Sequence, residues 1–290
     1  MRILVTGGAG FIGSHLVDTL MGKGLEVVVL DNLSRGSIDN LGRWLQHPRF
    51  TFIKGDLKNL EDSSQAVKDC KVVFHFAANP EVRIGFSNPR VDFEENVLAT
   101  YNLLEAIRRN GDCKHLLFAS TSTVYGEAKI LPTPEDYAPL KPISHYGASK
   151  LACEALISSY AHLYGFNASI LRLANIIGPR SNHGVIYDFI TKLKANPKIL
   201  EVLGDGTQSK SYLHISDCIE AMLTILDRAN IKGVEIFNIG SEDRISVLDI
   251  AKIIIEEMGL KGVEVKVSGG VDGGRGWKGD VKEMLLDISK

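Results

Sequence analysis

Tyr146 and Lys150 stand at i and i+4 in Tyr-Gly-Ala-Ser-Lys, at the start of a long helical pattern. On a helix, that spacing puts both side chains on one face, with Cβ atoms about 5–6 Å apart. A phenol with an ordinary pKa near 10 is a poor base at neutrality. An adjacent ammonium favours the phenolate and lowers that pKa, which suits Tyr146 to take the proton of an alcohol. The same spacing also arises by chance on exposed helices, so the pair needs support from a second motif.

The second motif is Gly7-Gly8-Ala9-Gly10-Phe11-Ile12-Gly13, between a short apolar run and a helical one. Gly8, Gly10 and Gly13 satisfy G-x-G-x-x-G in the strand-to-helix setting that the pattern requires. There the chain turns sharply, the backbone approaches a pyrophosphate and the helix packs close on the strand; a side chain obstructs each step. The pyrophosphate meets unpaired amides at the positive end of the helix, so Gly7, Gly10, Phe11 and Ile12 are expected to touch a dinucleotide. Asp31 ends the next apolar run, 18 positions after Gly13. A carboxylate there accepts ribose hydroxyls and repels a 2′-phosphate, which predicts NAD over NADP. Arg35 is the opposing feature, since an arginine can host that phosphate. With NAD present, the Tyr/Lys pair reads as redox chemistry, the oxidised nicotinamide adding a second positive charge beside the phenol.

Both motifs need a frame. Arg2–Thr6, Glu26–Leu30, Phe50–Lys54, Val72–Phe76, His115–Ala119 and Ala168–Leu173 are nearly continuous apolar runs, the habit of parallel strands covered on both faces. Phe11–Lys23, Leu60–Asp69, Val91–Asn110 and Tyr146–Tyr164 carry the apolar repeat of amphipathic helices. The alternation predicts an α/β fold: a Rossmann-type doubly wound parallel sheet with a smaller C-terminal substrate-binding domain. After Pro179 the helices shorten (Val185–Ala195) and strands such as Glu235–Ile239 and Val263–Val267 look isolated. The helix near Ser216–Arg228 is expected to return to the first domain. The expected division is therefore 1–175 plus roughly 212–234 for NAD, with 176–211 and 235–290 for the substrate.

Composition removes other classes. The 290 residues carry a formal net charge of −2 with a pI near 6.5, which suggests neither a nucleic-acid nor an acidic-lipid surface. No apolar run is long enough to span a bilayer, and Met1-Arg2 leads straight into a strand rather than a signal peptide. Cys70, Cys113, Cys153 and Cys218 show no paired spacing. No metal site is expected, and a reducing, cytoplasmic setting is.

The order of motifs resembles the extended short-chain dehydrogenase/reductase family, in its nucleotide-sugar epimerase branch. The likeness rests on Gly7–Gly13, Asp31-Asn32, Gly55-Asp56-Leu57, His75-Phe76-Ala77-Ala78, Asn96, Ser120 to Gly126, Tyr146/Lys150 and Arg172-Leu173-Ala174-Asn175. It implies that Asp56 and Leu57 hold the adenine, that Phe76, Ala77 and Ala78 line the cofactor, and that Asn96 and Ser120 lie near the nicotinamide half. Thr121 would hydrogen-bond the reacting sugar hydroxyl beside Tyr146. Each has a structural alternative: plain core for Phe76, Ala77 and Ala78, capping for Asp56 and Asn96.

Relatives that eliminate water resemble this chain but carry Asp-Glu after the catalytic Thr, and decarboxylases carry Glu at the second of these positions. Here they are Ser122 and Thr123, which cannot act as acids at neutral pH. Simple epimerisation at C4 of a UDP-sugar, UDP-glucose/UDP-galactose by default, fits best. The resemblance also implies Asn175, Lys210 and Arg275 on the diphosphate side, and a homodimer through the two long helices. Lys210 stands where relatives usually have Arg, and Asn79-Pro80 replaces a lysine found in some epimerases. The chain stops at Lys290, where relatives begin a further helix, so it reads as a short or a trimmed member. A net NAD-dependent dehydrogenase of a sugar nucleotide and a non-catalytic dinucleotide sensor stay open as rivals; an intact Thr121/Tyr146/Lys150 set speaks against the sensor.

Overall fold

The computed structural model describes residues 1–228 and 231–290; residues 229 and 230, in the expected return segment 212–234, lie outside the described residues. Seven strands make the central sheet: β1 (Arg2–Thr6), β2 (Glu26–Asp31), β3 (Phe50–Lys54), β4 (Val72–His75), β5 (His115–Thr121), β6 (Asn167–Leu173) and β7 (Val234–Ile239). Their spatial order is β7-β6-β5-β4-β1-β2-β3, and every neighbouring pair is parallel. The winding direction reverses between β1 and β4, which opens a crevice at the carboxyl ends of these strands. The longer helices are α1 (Phe11–Gly22), α2 (Leu60–Val67), α3 (Ala99–Asn110), α4 (His145–Tyr164), α5 (Val185–Ala195), α6 (Ile215–Asp227) and α7 (Val247–Glu257).

The apolar strand runs are explained by burial on both faces. Ile3 and Val5 of β1 pack with Val27 and Val29 of β2 under Leu16 and Leu20 of α1 and Met222 of α6. Leu4, Val28 and Leu30 face the other way, with Leu103 and Leu104 of α3 and Cys153 and Ile157 of α4. Each such aliphatic side chain contributes about 1.5–3 kcal/mol on burial. A smaller core joins Phe189 and Leu193 of α5 to Ile250 and Ile254 of α7.

Two expectations are corrected here. The strand at 235–239 is not isolated: β7 pairs with β6 in register from Val234↔Ala168 to Ile239↔Leu173 and forms the sheet's seventh strand. Nor is the strand near 263–267 isolated, since Glu264–Val267 pairs in parallel with Ile199–Val202. The helix expected over Val91–Asn110 is present, running without a break from Pro89–Asp92 through a π-helical turn (Phe93–Leu98) into α3. A π turn inserts a residue and re-aims side chains, and such turns recur at functional sites.

The helix that bears Tyr146 starts and stops for local reasons. Ser144 caps it, its Oγ accepting from the Gly147 amide at 3.0 Å, and Gly165, at φ 74°, ends it in the left-handed region. Gly147 lets this first turn rest on the turn after β5, since a Cβ there would lie 2.9 Å from the Thr123 carbonyl oxygen.

Candidate active site

A cavity of about 650 Å³ opens at the carboxyl ends of the central strands, from the glycine turn to the segment around Trp277. Gly7 sits at φ +68°, and a Cβ on it would lie 2.7 Å from the Ala77 amide nitrogen. A Cβ on Gly13 would collide with the Gly7 carbonyl oxygen, so helix and strand meet only because both residues are glycine. Gly10 begins α1 without a side-chain cap, leaving the first helical amides free. A bare cradle of this kind, facing the cavity with Gly7, Gly10, Phe11 and Ile12 in its wall, fits a pyrophosphate.

Asp31 lies in the same wall. Its two oxygens accept from the Ala9 amide at 2.9 Å and the Leu33 amide at 2.8 Å. Burial pushes its carboxyl up, and these amides pull it back. Asn32, Asp56 and Leu57 also line the cavity, with Asn32 Nδ2 donating to Asp56 at 3.1 Å. Burial pushes Asp56 up too, but the Lys58 amide, Asn32 and the Lys58 charge outweigh it and hold the carboxyl below its ordinary range. Phe76, Ala77 and Ala78 complete this side of the wall. The donor set fits NAD, which when bound supplies a hydride acceptor and a positive ring.

Thr121, Tyr146 and Lys150 come together on the cavity wall with Ser120. Thr121 Oγ1 accepts from the Thr123 amide at 3.1 Å, and the Ser120 hydroxyl donates to Glu154. Lys150 Nζ donates to the Ala119 carbonyl at 2.9 Å, lies 4.7 Å from the Phe118 ring centre and 6.0 Å from that of Tyr146. The protein's own groups do not supply the lowering expected at Tyr146. Burial pushes the Tyr146 phenol up, not down, with Asp92 adding to the rise, and burial lowers Lys150 to about 8. Desolvation penalises both charged forms, and the Lys150 proton is already committed to a carbonyl.

Asn175 and Lys210, expected on the diphosphate side, also line the cavity. Asn175 donates to the Ser211 carbonyl at 3.1 Å, and Lys210 pairs with Asp280. Two expected residues do not reach it. Asn96 is 1% exposed and braces the fold, accepting from the Asn79 amide at 2.9 Å and donating to Ser149 Oγ at 2.8 Å. Arg275 pairs with Glu127 and donates to the Asp280 carbonyl; its neighbours Gly276 and Trp277 form the wall instead. The sequence reading also passed over the 80–83 and 181–185 segments, which line the cavity. The visible signal for the first was Asn79-Pro80, and for the second the Gly-Pro-Arg turn before it. Among the described residues, no group of three or more His, Cys, Asp or Glu is placed to hold a metal ion, and no helix is long and apolar enough to cross a membrane.

The model of the NAD dependent epimerase/dehydratase family matches residues 3–240. The chain belongs to this family. A putative UDP-glucose 4-epimerase of Methanocaldococcus jannaschii is 38% identical over 99% of this chain and 90% of its own length. A crystal structure of a UDP-galactose 4-epimerase is 46% identical, covers 100% of this chain and 90% of its own, and superposes with a TM-score of 0.88. Family members of another activity are also similar: UDP-glucuronic acid decarboxylase 5 of Arabidopsis thaliana is 33% identical over 92% of this chain and 77% of its own length. The NAD-binding Rossmann frame and the nucleotide-sugar class of substrate are thus common to the family around this chain.

Proposed function

We propose that this family member interconverts UDP-sugars at C4, with UDP-glucose and UDP-galactose as the pair, through a transient 4-keto sugar. The observation that carries the reading is the convergence of Thr121, Tyr146 and Lys150 on the wall that also holds the glycine cradle, with Ser122 and Thr123 following Thr121. Neither hydroxyl can act as the acid that elimination or decarboxylation uses at these positions. Thr121 orients the sugar hydroxyl, and Tyr146 takes its proton while the C4 hydride passes to bound NAD. Tyr146 gives the proton back to the same oxygen once that hydride has been returned to the other face of C4, and Lys150 supplies the charge beside the phenol. Asn175 and Lys210 carry the diphosphate. Residues 176–211 and those after β7 form the sugar half of the enzyme, and the remainder the NAD half.

Phe93, Tyr101, Leu163 and Tyr164 are large apolar side chains left exposed along the two long helical segments, and this supports a homodimer built on them. The four cysteines are free and buried, which suits a reducing cytoplasm.

The test is incubation with UDP-glucose or UDP-galactose and chromatographic separation of the epimers while NADH absorbance is followed. Epimers without net NADH are expected. Stoichiometric NADH would mark a net dehydrogenase, and no turnover with NAD bound would mark a sensor. Tyr146→Phe should lose at least about 10²-fold in kcat and keep its NAD.

A further inference from the structure

Behind the active-site helix sits a carboxylate with half of its bonding unmet. Asp92 ends the one-turn helix Pro89–Asp92 and is fully buried. Its Oδ1 accepts from Asn79 Nδ2 at 2.9 Å, while Oδ2 has no partner among the described residues. Gly85 presses on that second oxygen; a Cβ at Gly85 would overlap it.

Asp92 heads a buried chain of hydrogen bonds. The Asn79 amide donates to Asn96 Oδ1 at 2.9 Å, Asn96 Nδ2 to Ser149 Oγ at 2.8 Å, and Ser149 Oγ to the Tyr146 carbonyl at 2.8 Å. The chain ends on the backbone of the proton-transferring residue. Asn96, which bonds both Asn79 and Ser149, sits on the π turn.

A bracket alone does not call for a charge here. An asparagine at position 92 would accept from Asn79 equally well and bury no ionised group, whereas an unpaired carboxylate oxygen is costly. The charge therefore has another use. On the π turn Glu94 is paired with Arg90 and Glu95 with Lys58, and on the 80–83 loop Glu81 is paired with Arg83. The one-turn helix Ile84–Ser87 brings no titratable side chain. What remains facing Asp92 is α4, with His145, Tyr146 and Lys150. Burial pushes the Asp92 carboxyl up, and the hydrogen bond from Asn79, followed by the charges of His145 and Lys150, draws it back. In return Asp92 adds to the upward push on Tyr146 and supports the charge on Lys150.

We propose that Asp92 is a positioning residue for the Tyr146–Lys150 pair: it fixes the first turn of α4 through Asn79, Asn96 and Ser149, and its charge sets the balance of protons between phenol and ammonium. This rests on the reading of Tyr146 as the redox base. Asp92 touches neither sugar nor cofactor and acts through groups that do.

The experiment compares Asp92→Asn and Ser149→Ala with the unaltered holoenzyme. In Asp92→Asn, ultraviolet tyrosinate absorbance, taken as a difference against Tyr146→Phe, should show Tyr146 titrating about one pH unit lower. The acid limb of the kcat profile with UDP-galactose should move the same way, with Tm unchanged or higher. Ser149→Ala cuts the chain but keeps the charge, so kcat should fall about tenfold with the limbs of the profile in place. An unmoved tyrosinate titration in Asp92→Asn overturns the electrostatic role, and full kcat in Ser149→Ala overturns the positioning role. Should Asp92→Asn fail to fold, Ser149→Ala decides. Activity surviving in Tyr146→Phe would instead remove the underlying reading of the site.

Discussion

Arg172 grips Glu154 with two hydrogen bonds, Nε to Oε1 at 3.1 Å and Nη2 to Oε2 at 2.8 Å, and their side chains are 2% and 5% exposed. The Ser120 hydroxyl donates to the same carboxylate, and the guanidinium lies 4.7 Å from the Tyr125 ring centre. The end of β5, where Thr121 emerges, is thereby bolted to α4 and β6. Removing one partner of a buried pair strands the other charge. Arg172→Met should therefore lower stability by about 3–5 kcal/mol. In Arg172→Met with Glu154→Gln the stranded charge is gone, and much of the loss should return. Denaturant unfolding of the two single variants and the double variant gives the coupling.

The glycine turn makes a sharper prediction for the cofactor than for the fold. At Gly13 a Cβ would meet the Gly7 carbonyl oxygen, which can move only by spreading α1 from β1. Gly13→Ala should lose NAD on gel filtration and unfold several degrees lower. Gly22, in the same helix, has open space around its Cβ position. Gly22→Ala should retain NAD and gain up to about 1 kcal/mol of stability. Equal NAD retention in the two variants would show that the turn does not hold the dinucleotide.

His75 makes the folded protein acid-sensitive. It is 1% exposed, with Nδ1 at 2.8 Å from Thr6 Oγ1 and Nε2 at 2.9 Å from Thr100 Oγ1. Burial, with the Lys150 charge adding to it, lowers its pKa from 6.5 to about 3. Between those values the unfolded chain binds the proton and the folded chain does not, so stability falls as pH drops below 6.5. The slope from this residue is about 1.4 kcal/mol per pH unit at most. His75→Asn should be less stable near neutrality and show a flatter decline on acidification, read from Tm against pH.

The features legible in the sequence were those set by neighbours along the chain. The glycine turn, Asp31 at a strand end and the i, i+4 pair follow from local geometry, and the structure puts all of them on one cavity. Asn96 and Arg275 do not line the cavity because their directions depend on distant partners. Asn96 sits on the π turn and is bonded to Asn79 and Ser149, and Arg275 is drawn off by Glu127, nearly 150 positions earlier. β7 looked isolated because its partner β6 lies more than 60 residues back, and no local pattern announces such a pairing. The upward push that the protein itself exerts on Tyr146 was hidden for a related reason. Spacing reveals a neighbouring cation, but desolvation is the summed effect of every residue that closes over the site.

Lys150 offers the test that separates charge from packing. It is 3% exposed, and burial lowers it from 10.5 to about 8, against the smaller upward pull of Cys153, Glu154 and Asp92. In the NAD-free protein between about pH 8 and 10.5, the unfolded chain holds this proton and the folded chain has released it. Stability contributed by this residue therefore rises with pH across that window, by up to about 3 kcal/mol. Below pH 8 both states are protonated and the full desolvation penalty stands. Lys150→Met removes the penalty, so relative to the unaltered protein it should be favoured most near neutrality, the difference shrinking as pH rises through the window. The same variant loses the cation beside Tyr146, and kcat with UDP-galactose should fall by about 10²-fold or more. A variant that is more stable near neutrality yet nearly inactive would place the role of Lys150 in charge rather than in packing, whereas a pH-independent stability difference would refute the assigned shift.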